Sequence, residues 1–130
     1  MSFQTMFQKM IDDEGVQMRI KRSETQMTLG KLIGVLEAMP AGAEVANLNS
    51  ADSYRGYYED LAFARENGTR PAADLLRECN LAIGREFDGY KGGTYRMDSL
   101  TPLWIAPYGC CGLKLMALYE GGMIETKDDE

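Results

Sequence analysis

The 130-residue chain contains no histidine. This absence excludes Ser-His-Asp and Cys-His catalytic groups, histidine general bases and histidine metal ligands. An enzyme built from this chain would have to use Asp, Glu, Lys, Tyr or Cys, and its carboxylates form no recognisable catalytic motif. The sequence therefore favours a binding protein over an enzyme.

Cysteine is scarce as well. The three cysteines, Cys79, Cys110 and Cys111, are an odd number, and adjacent cysteines cannot form an unstrained disulfide with each other. They show no C-x-x-C spacing and have no histidine to complete a zinc site. We therefore expect free thiols, no metal and no cofactor.

The chain also lacks long apolar runs and an excess of basic residues. No run approaches the roughly 20 apolar residues that a membrane helix needs, and residues 1–12 lack the basic start and apolar centre of a signal peptide. We expect a cytoplasmic protein with no membrane partner. The net charge of −6 argues against DNA or RNA binding. The negative net charge is compatible with binding of a small anionic ligand. One or two arginines in a pocket act on the ligand more strongly than distant acidic residues, whose charge is screened by salt.

The chain divides into three parts. Residues 1–26 read as an N-terminal extension, residues 27–124 as a single α+β ligand-binding domain, and residues 125–130 as a frayed acidic tail. In the domain, Thr28 is the predicted N-cap of a helix that carries Leu29, Leu32, Ile33 and Leu36 on one face and ends before Pro40.

The remaining patterns predict strands and a second main helix. Strands are expected at 44–48 and 57–63, with Leu61 and Phe63 on one face and Asp60 and Ala62 on the other. Residues 67–69 (Asn-Gly-Thr) indicate a turn. The second helix is predicted with Thr69 as N-cap and an end near residue 84 or 86. Short strands follow at 94–97, 103–106 and 113–119. This order predicts an α+β fold, with two main helices packed on a small, mostly antiparallel sheet.

Two clusters combine flat rings, cations and glycines. The first, at residues 53–63, places three tyrosines beside Arg55, and the second, at 87–96, surrounds a glycine-rich stretch. Rings can stack on a nucleobase while a guanidinium binds phosphate or ribose oxygens. The clusters therefore favour a planar, anionic ligand. The candidate ligand-binding residues are Tyr54, Arg55, Tyr58, Phe87, Tyr90, Lys91 and Arg96.

Structural interpretations compete with these roles. Each tyrosine, taken singly, is also typical of a half-buried strand residue, and residues 89–93 are typical of a tight turn. Trp104 is more typical of a core residue. Asp52, Glu59 and Asp60 are either solvated loop carboxylates, acid or base groups, or acceptors for a ribose hydroxyl.

Four motifs carry a resemblance to a known family. They are Ser-Tyr-Arg-Gly-Tyr-Tyr at 53–58, Asp-Leu-Ala-Phe at 60–63, Gly-Tyr-Lys-Gly-Gly at 89–93 and Thr-Pro-x-Trp at 101–104. In these motifs the chain resembles the first Thoeris anti-defence family, phage proteins that sequester the cyclic ADP-ribose signals made by bacterial TIR enzymes. The resemblance spans residues 27–116, and the extension 1–26 departs from it.

The resemblance implies tight binding of the cyclic nucleotide without cleavage, in the cytoplasm of the infected bacterium. It also implies a homo-oligomer with pockets at subunit interfaces, and some similar proteins also hold cyclic oligonucleotides. On this basis we expect Arg55 and Lys91 to bind phosphates, and Phe87, Tyr90 or Tyr58 to stack on the base.

Two other functions stay open at this point. A phage inhibitor of a host protein would also place Tyr and Arg at its contact surface, because both are frequent interface hot spots. A small nucleotide-cleaving enzyme would have to use carboxylates alone, such as Asp52, Glu59 or Asp60.

Overall fold

The computed structural model describes residues 26–54, 60–88, 94–106 and 112–128. Within these ranges there are two helices, α1 (Leu29–Glu37) and α2 (Ala72–Ala82). The strands are β1 (Glu44–Ser53), β2 (Leu61–Pro71), β3 (Glu86–Asp88), β4 (Thr94–Arg96), β5 (Leu103–Ile105), β6 (Leu113–Leu118) and β7 (Ile124–Lys127). A mixed five-stranded sheet has the order β1-β2-β5-β6-β7, and β3 and β4 form a separate hairpin. Only the β2–β5 pair is parallel among these strands, so the α+β prediction is confirmed.

The sheet separates two hydrophobic clusters because strand side chains alternate between its faces. Leu61, Phe63 and Leu103 belong to the larger cluster, which includes both helices. The residues between them, Ala62 and Trp104, belong to a smaller cluster. The alternation predicted for residues 61–63 is therefore confirmed, and the helices cover one face of the sheet.

Helix α1 begins where the sequence predicts. The Thr28 hydroxyl oxygen accepts a hydrogen bond from the Lys31 backbone N–H at 3.3 Å, which satisfies one of the unpaired donors at a helix start. Leu29, Leu32 and Leu36 form its buried face. The helix ends before Pro40, as predicted.

The boundary drawn after residue 26 falls inside the packed structure. The Met27 backbone bonds to two strands: its N–H donates to the Leu115 carbonyl at 2.7 Å, and its carbonyl accepts from the Leu103 N–H at 3.0 Å. The Gln26 side chain is buried and donates to the Leu103 carbonyl at 3.0 Å. Gln26 is therefore part of the domain, whereas residues 1–25 of the predicted extension lie outside the described residues.

Two predictions around the start of α2 are wrong. Thr69 is not an N-cap, because β2 continues to Pro71 and no side chain caps the helix. Instead, the Ala72 N–H donates to the Ala43 carbonyl at 2.8 Å, so the neighbouring strand region supplies the acceptor. The Asn-Gly-Thr stretch at 67–69 is also not a turn, since it lies inside β2.

Irregular pairing bends the β1–β2 ribbon. The register shifts between Ala46 and Leu48, opposite Gly68, whose φ of +83° suits a glycine in a bulge. A second irregularity lies between residues 49 and 52, where Ser50 has a φ of +56°. The far end of the bent ribbon meets the β6–β7 turn, where the Gly121 N–H donates to the Glu44 carbonyl at 2.8 Å.

The acidic tail begins later than predicted. Residues 125–127 belong to β7, which pairs antiparallel with β6. Backbone hydrogen bonding to β6 orders this stretch despite its charge, so the prediction of fraying from residue 125 is wrong for these three residues.

Candidate functional site

The described part of the first aromatic cluster is built around Trp104. The Tyr54 ring stacks on the Trp104 ring with centroids 4.3 Å apart and an interplanar angle of 7°. Tyr54 is 2% exposed and Trp104 is 4% exposed. The small residues Ala62 and Ala106 complete the cluster on the sheet face opposite the helices. The prediction of Trp104 as a core residue is confirmed.

Asp60 is buried within the same cluster. Its Oδ2 atom accepts a hydrogen bond from the Trp104 indole N–H at 2.7 Å, and the residue is only 4% exposed. A buried carboxylate is costly unless it is hydrogen-bonded, and the indole N–H supplies a donor. Of the alternatives for Asp60, a solvated loop carboxylate is excluded by this burial.

Gly112 joins a third segment to the cluster. Its backbone N–H donates to the Tyr54 hydroxyl oxygen at 3.1 Å. A β-carbon at this position would lie 2.2 Å from the Ile105 carbonyl oxygen and 2.6 Å from the Ala106 β-carbon, which is far inside contact distance. Only glycine allows this close approach of the two backbones. We call Tyr54, Asp60, Trp104 and Gly112 the aromatic junction.

The aromatic junction holds the ends of two sequence segments together. Residues 55–59 are flanked by Tyr54 and Asp60, whose backbones are joined by a hydrogen bond from the Tyr54 N–H to the Asp60 carbonyl at 3.1 Å. Residues 107–111 are flanked by Ala106 and Gly112, which approach closely. Because Gly112 also bonds to Tyr54, the flanking residues of both segments meet at one place.

The described part of the second cluster is the β3–β4 hairpin. Phe87 is partly buried and packs against the main core. The Arg85 guanidinium carbon lies 4.6 Å from the centroid of the Phe87 ring, in a cation–π contact. Arg96 pairs with Glu86 across the hairpin, with its Nη2 atom 2.7 Å from Glu86 Oε1, and both side chains are largely exposed.

The candidate residues fall in two places. Tyr54 lies in the buried aromatic junction, where its ring and hydroxyl already have protein partners. Phe87 and Arg96 lie together on the hairpin. The other candidates lie outside the described residues: Arg55, Tyr58, Tyr90 and Lys91.

Sequence reasoning missed Arg85. In extended backbone, the side chains of residues 85 and 87 point to the same side. If the sequence had been read as extended here, this spacing would have predicted a contact between the guanidinium and the ring. The signal was hidden because the predicted second helix extended to residue 84 or 86. In the structure, α2 ends at Ala82, Ile83 is extended, and Gly84 with a φ of +82° completes a turn in which the Arg85 N–H donates to the Ala82 carbonyl at 3.0 Å.

Cys79 is a buried, free thiol on α2. Burial, with a smaller contribution from Glu78 and an opposing one from Arg70, raises the pKa of Cys79 from 9.0 to about 12. A thiol with such a pKa is protonated and unreactive near neutral pH. Cys110 and Cys111 lie outside the described residues.

Among the described ranges, no group of three or more Cys, Asp or Glu residues is arranged to hold a metal ion. Neither of the two described helices combines the length and the apolar character that crossing a bilayer requires.

Comparison of the chain with protein-family models, with curated proteins and with solved structures finds no match. The resemblance described above therefore stays a prediction.

Proposed function

We propose that this protein is a phage-encoded anti-defence protein that binds a cyclic ADP-ribose-type nucleotide signal and holds it intact. Sequestration would lower the free signal and so block the host's antiviral response. The same site would accept cyclic oligonucleotide signals of similar shape and charge. In this proposal the protein acts in the bacterial cytoplasm as a homo-oligomer with ligand pockets at subunit interfaces.

The aromatic junction is the observation that supports the proposal most strongly. It fastens both flanks of the segment 55–59, which carries Arg55 and two tyrosines in the sequence. A binding segment whose ends are fixed loses less conformational entropy when it binds. The buried Trp104 and Asp60 fit the role of a rigid support, because the indole N–H and the carboxylate are joined by a buried hydrogen bond.

The hairpin supplies the second part of the chemistry. Its short two-stranded ribbon carries the Phe87 ring and Arg96, and a second cation, Arg85, comes directly before β3. An aromatic ring beside guanidinium groups suits a ligand with both a base and phosphates. The flanking residues of segment 89–93, Asp88 and Thr94, are paired across the same hairpin, so this segment also starts and ends at a fixed base.

Binding without cleavage is supported by the state of the one described carboxylate within the aromatic junction. Asp60 is buried and accepts the Trp104 indole N–H. A general acid or base must reach the proton that it transfers. A carboxylate committed to an indole inside the core is better suited to support than to proton transfer.

Calorimetric titration with a panel of cyclic ADP-ribose isomers and cyclic dinucleotides tests the proposal. We expect tight binding of at least one cyclic ADP-ribose isomer. Arg55→Ala should weaken it by roughly 1.5 to 3 kcal/mol, the range for a charge-assisted bidentate contact. Arg77→Ala is the matched control, because Arg77 is an exposed arginine on α2 that pairs only weakly with Asp74 at 3.8 Å. The absence of binding to every panel member would contradict the proposal.

A second candidate function is the inhibition of a host protein. The end of α2 exposes two large apolar residues close together in sequence, Leu81 at 74% and Ile83 at 41% exposure. Neighbouring exposed apolar residues can form the contiguous patch that marks a protein-binding surface. Capture of a single host protein by the wild type, lost in Leu81→Asp, together with no nucleotide binding, would favour this function.

A further inference from the structure

Arg85 is fixed at the meeting point of α2 and the β3–β4 hairpin. Its backbone N–H donates to the Ala82 carbonyl at 3.0 Å, and its carbonyl accepts from the Met97 N–H at 2.8 Å. The preceding Gly84 donates to the Met97 carbonyl at 2.7 Å. These three hydrogen bonds hold the Arg85 backbone on both sides, so its side chain starts from a defined position.

The Arg85 side chain is held as well. One Nη1 N–H donates to the Ala51 carbonyl of β1 at 3.1 Å, and the guanidinium lies over the Phe87 ring. The residue is exposed. A guanidinium has five N–H donors in a planar fork, and the Ala51 carbonyl uses one of them. The other donors have no partner among the described residues, on a side chain whose position is already fixed.

Arg85 differs from Arg70 and Arg96 in its charge balance, and it shares this difference with Arg65, whose guanidinium also donates to a neutral carbonyl, that of Gly122 at 3.2 Å. Arg96 lies 2.7 Å from the Glu86 carboxylate, and Arg70 lies 2.7 Å from the Glu78 carboxylate. Arg85 forms no ion pair within the described part of the chain, and its hydrogen-bond acceptor is a neutral carbonyl. No carboxylate of the described residues therefore neutralises its positive charge, which can attract an anionic ligand beside the hairpin.

We infer that Arg85 is a ligand-binding residue that forks onto the phosphates of the sequestered nucleotide, next to the ring of Phe87. This inference rests on the proposed function and adds a residue to its site. Because the guanidinium lies over the ring, its outer plane and its edge face outward, and a guanidinium can both stack on a flat group and fork onto phosphate oxygens, which matches a ligand that carries a pyrophosphate close to a base. Arg96, already paired with Glu86, contributes less than Arg85.

Titration of Arg85→Gln with the cyclic ADP-ribose isomers tests the inference. We expect Arg85→Gln to lower the affinity about 10- to 100-fold, because a charge-assisted fork is lost. Arg85→Lys keeps the charge without the planar fork, and we expect an intermediate loss. Arg77→Gln, an exposed arginine on α2, should stay within about twofold of the wild type, since surface substitutions have small effects.

Nuclear magnetic resonance of the wild type separates contact from a merely structural effect. The Arg85 Nε–Hε signal, assigned by its loss in Arg85→Lys, should shift when a cyclic ADP-ribose isomer is added, while the Arg77 signal should not. This measurement also decides the question if Arg85→Gln fails to fold. The inference would be wrong if the wild type bound a cyclic ADP-ribose isomer, its Arg85 signal did not move, and Arg85→Lys kept an affinity within twofold of the wild type. The proposed function would still stand in that case. If the wild type bound no panel member, both would be wrong.

Discussion

Tyr54→Phe removes one hydroxyl group from the aromatic junction and keeps the ring. The stack on Trp104, with centroids 4.3 Å apart, can therefore persist. The Gly112 N–H loses its acceptor at 3.1 Å, and Gly112 is only partly exposed. The substitution thus tests whether the hydrogen bond between Tyr54 and Gly112 contributes to stability, separately from the packing of the ring.

The expected loss follows from leaving a partly buried donor without a partner. Such a donor costs about 1 to 3 kcal/mol in the free energy of unfolding. For a chain of this size, each kcal/mol lowers the melting temperature by roughly 3 to 6 °C. We expect Tyr54→Phe to lower the free energy of unfolding by about 1 to 3 kcal/mol.

Tyr119→Phe is the matched control. The Tyr119 hydroxyl also makes a hydrogen bond, to Glu125 Oε1 at 2.8 Å, but the residue is 43% exposed, so water can replace the lost partner. We expect a change within about 0.5 kcal/mol. Urea unfolding followed by circular dichroism and by the fluorescence of Trp104, the one tryptophan of the chain, measures both variants. Equal, small losses in the two variants would refute the role assigned to the Tyr54 hydroxyl.

Two further predictions concern stability. Gly112→Ala would put a β-carbon 2.2 Å from the Ile105 carbonyl oxygen, so thermal unfolding should report a loss of about 2 to 4 kcal/mol, whereas Gly34→Ala in α1 meets nothing within 4 Å and should gain about 0.5 to 1 kcal/mol. The opposite ranking would contradict the structure. Burial raises the pKa of the Cys79 thiol from 9.0 to about 12 in the folded protein. The thiol therefore deprotonates at lower pH in the unfolded chain, so the free energy of unfolding is unaffected by this group below pH 9.0 and falls as the pH rises toward 12. Urea titrations over that interval should show a shallower pH dependence in Cys79→Ala, and an unchanged slope would contradict this assignment.

Local sequence patterns were sufficient where a short segment decides its own structure. Thr28 caps α1 because a threonine hydroxyl can reach the third N–H of the helix without help from elsewhere in the chain. The alternation of Leu61, Ala62 and Phe63 between faces follows from strand geometry alone. Both features could be predicted from neighbouring residues.

Other features depend on partners that are distant in the sequence. The sequence Asn-Gly-Thr at 67–69 is compatible with either a turn or a β-bulge. Pairing with β1 keeps this stretch in the sheet, where it forms the irregularity. The burial of Tyr54 depends on Trp104 and Gly112, which β5 and β6 bring from far along the chain. The prediction of Tyr54 as a ligand-binding residue could not weigh these contacts, and its hydroxyl and ring are engaged inside the protein.

The position of Arg85 shows a third kind of dependence. Phe87 continues the helical spacing of Ile83, so the sequence predicted a longer second helix. The helix ends at Ala82, and a turn through the extended Ile83 and through Gly84, with its positive φ, leads to Arg85, whose guanidinium lies over the Phe87 ring. The hydrogen bonds from the Gly84 N–H to the Met97 carbonyl and from the Met97 N–H to the Arg85 carbonyl join this turn to a part of the chain that the local pattern does not include.

A sponge releases its ligand unchanged, whereas an enzyme releases products, so the chemical state of the bound nucleotide distinguishes the two. The protein is incubated with the cyclic ADP-ribose isomer that binds most tightly, separated from free ligand, denatured by heat, and the released material is analysed by chromatography. We predict recovery of the unchanged cyclic nucleotide in proportion to the occupied sites. Recovery of linear or fragmented products would contradict sequestration and identify the protein as an enzyme.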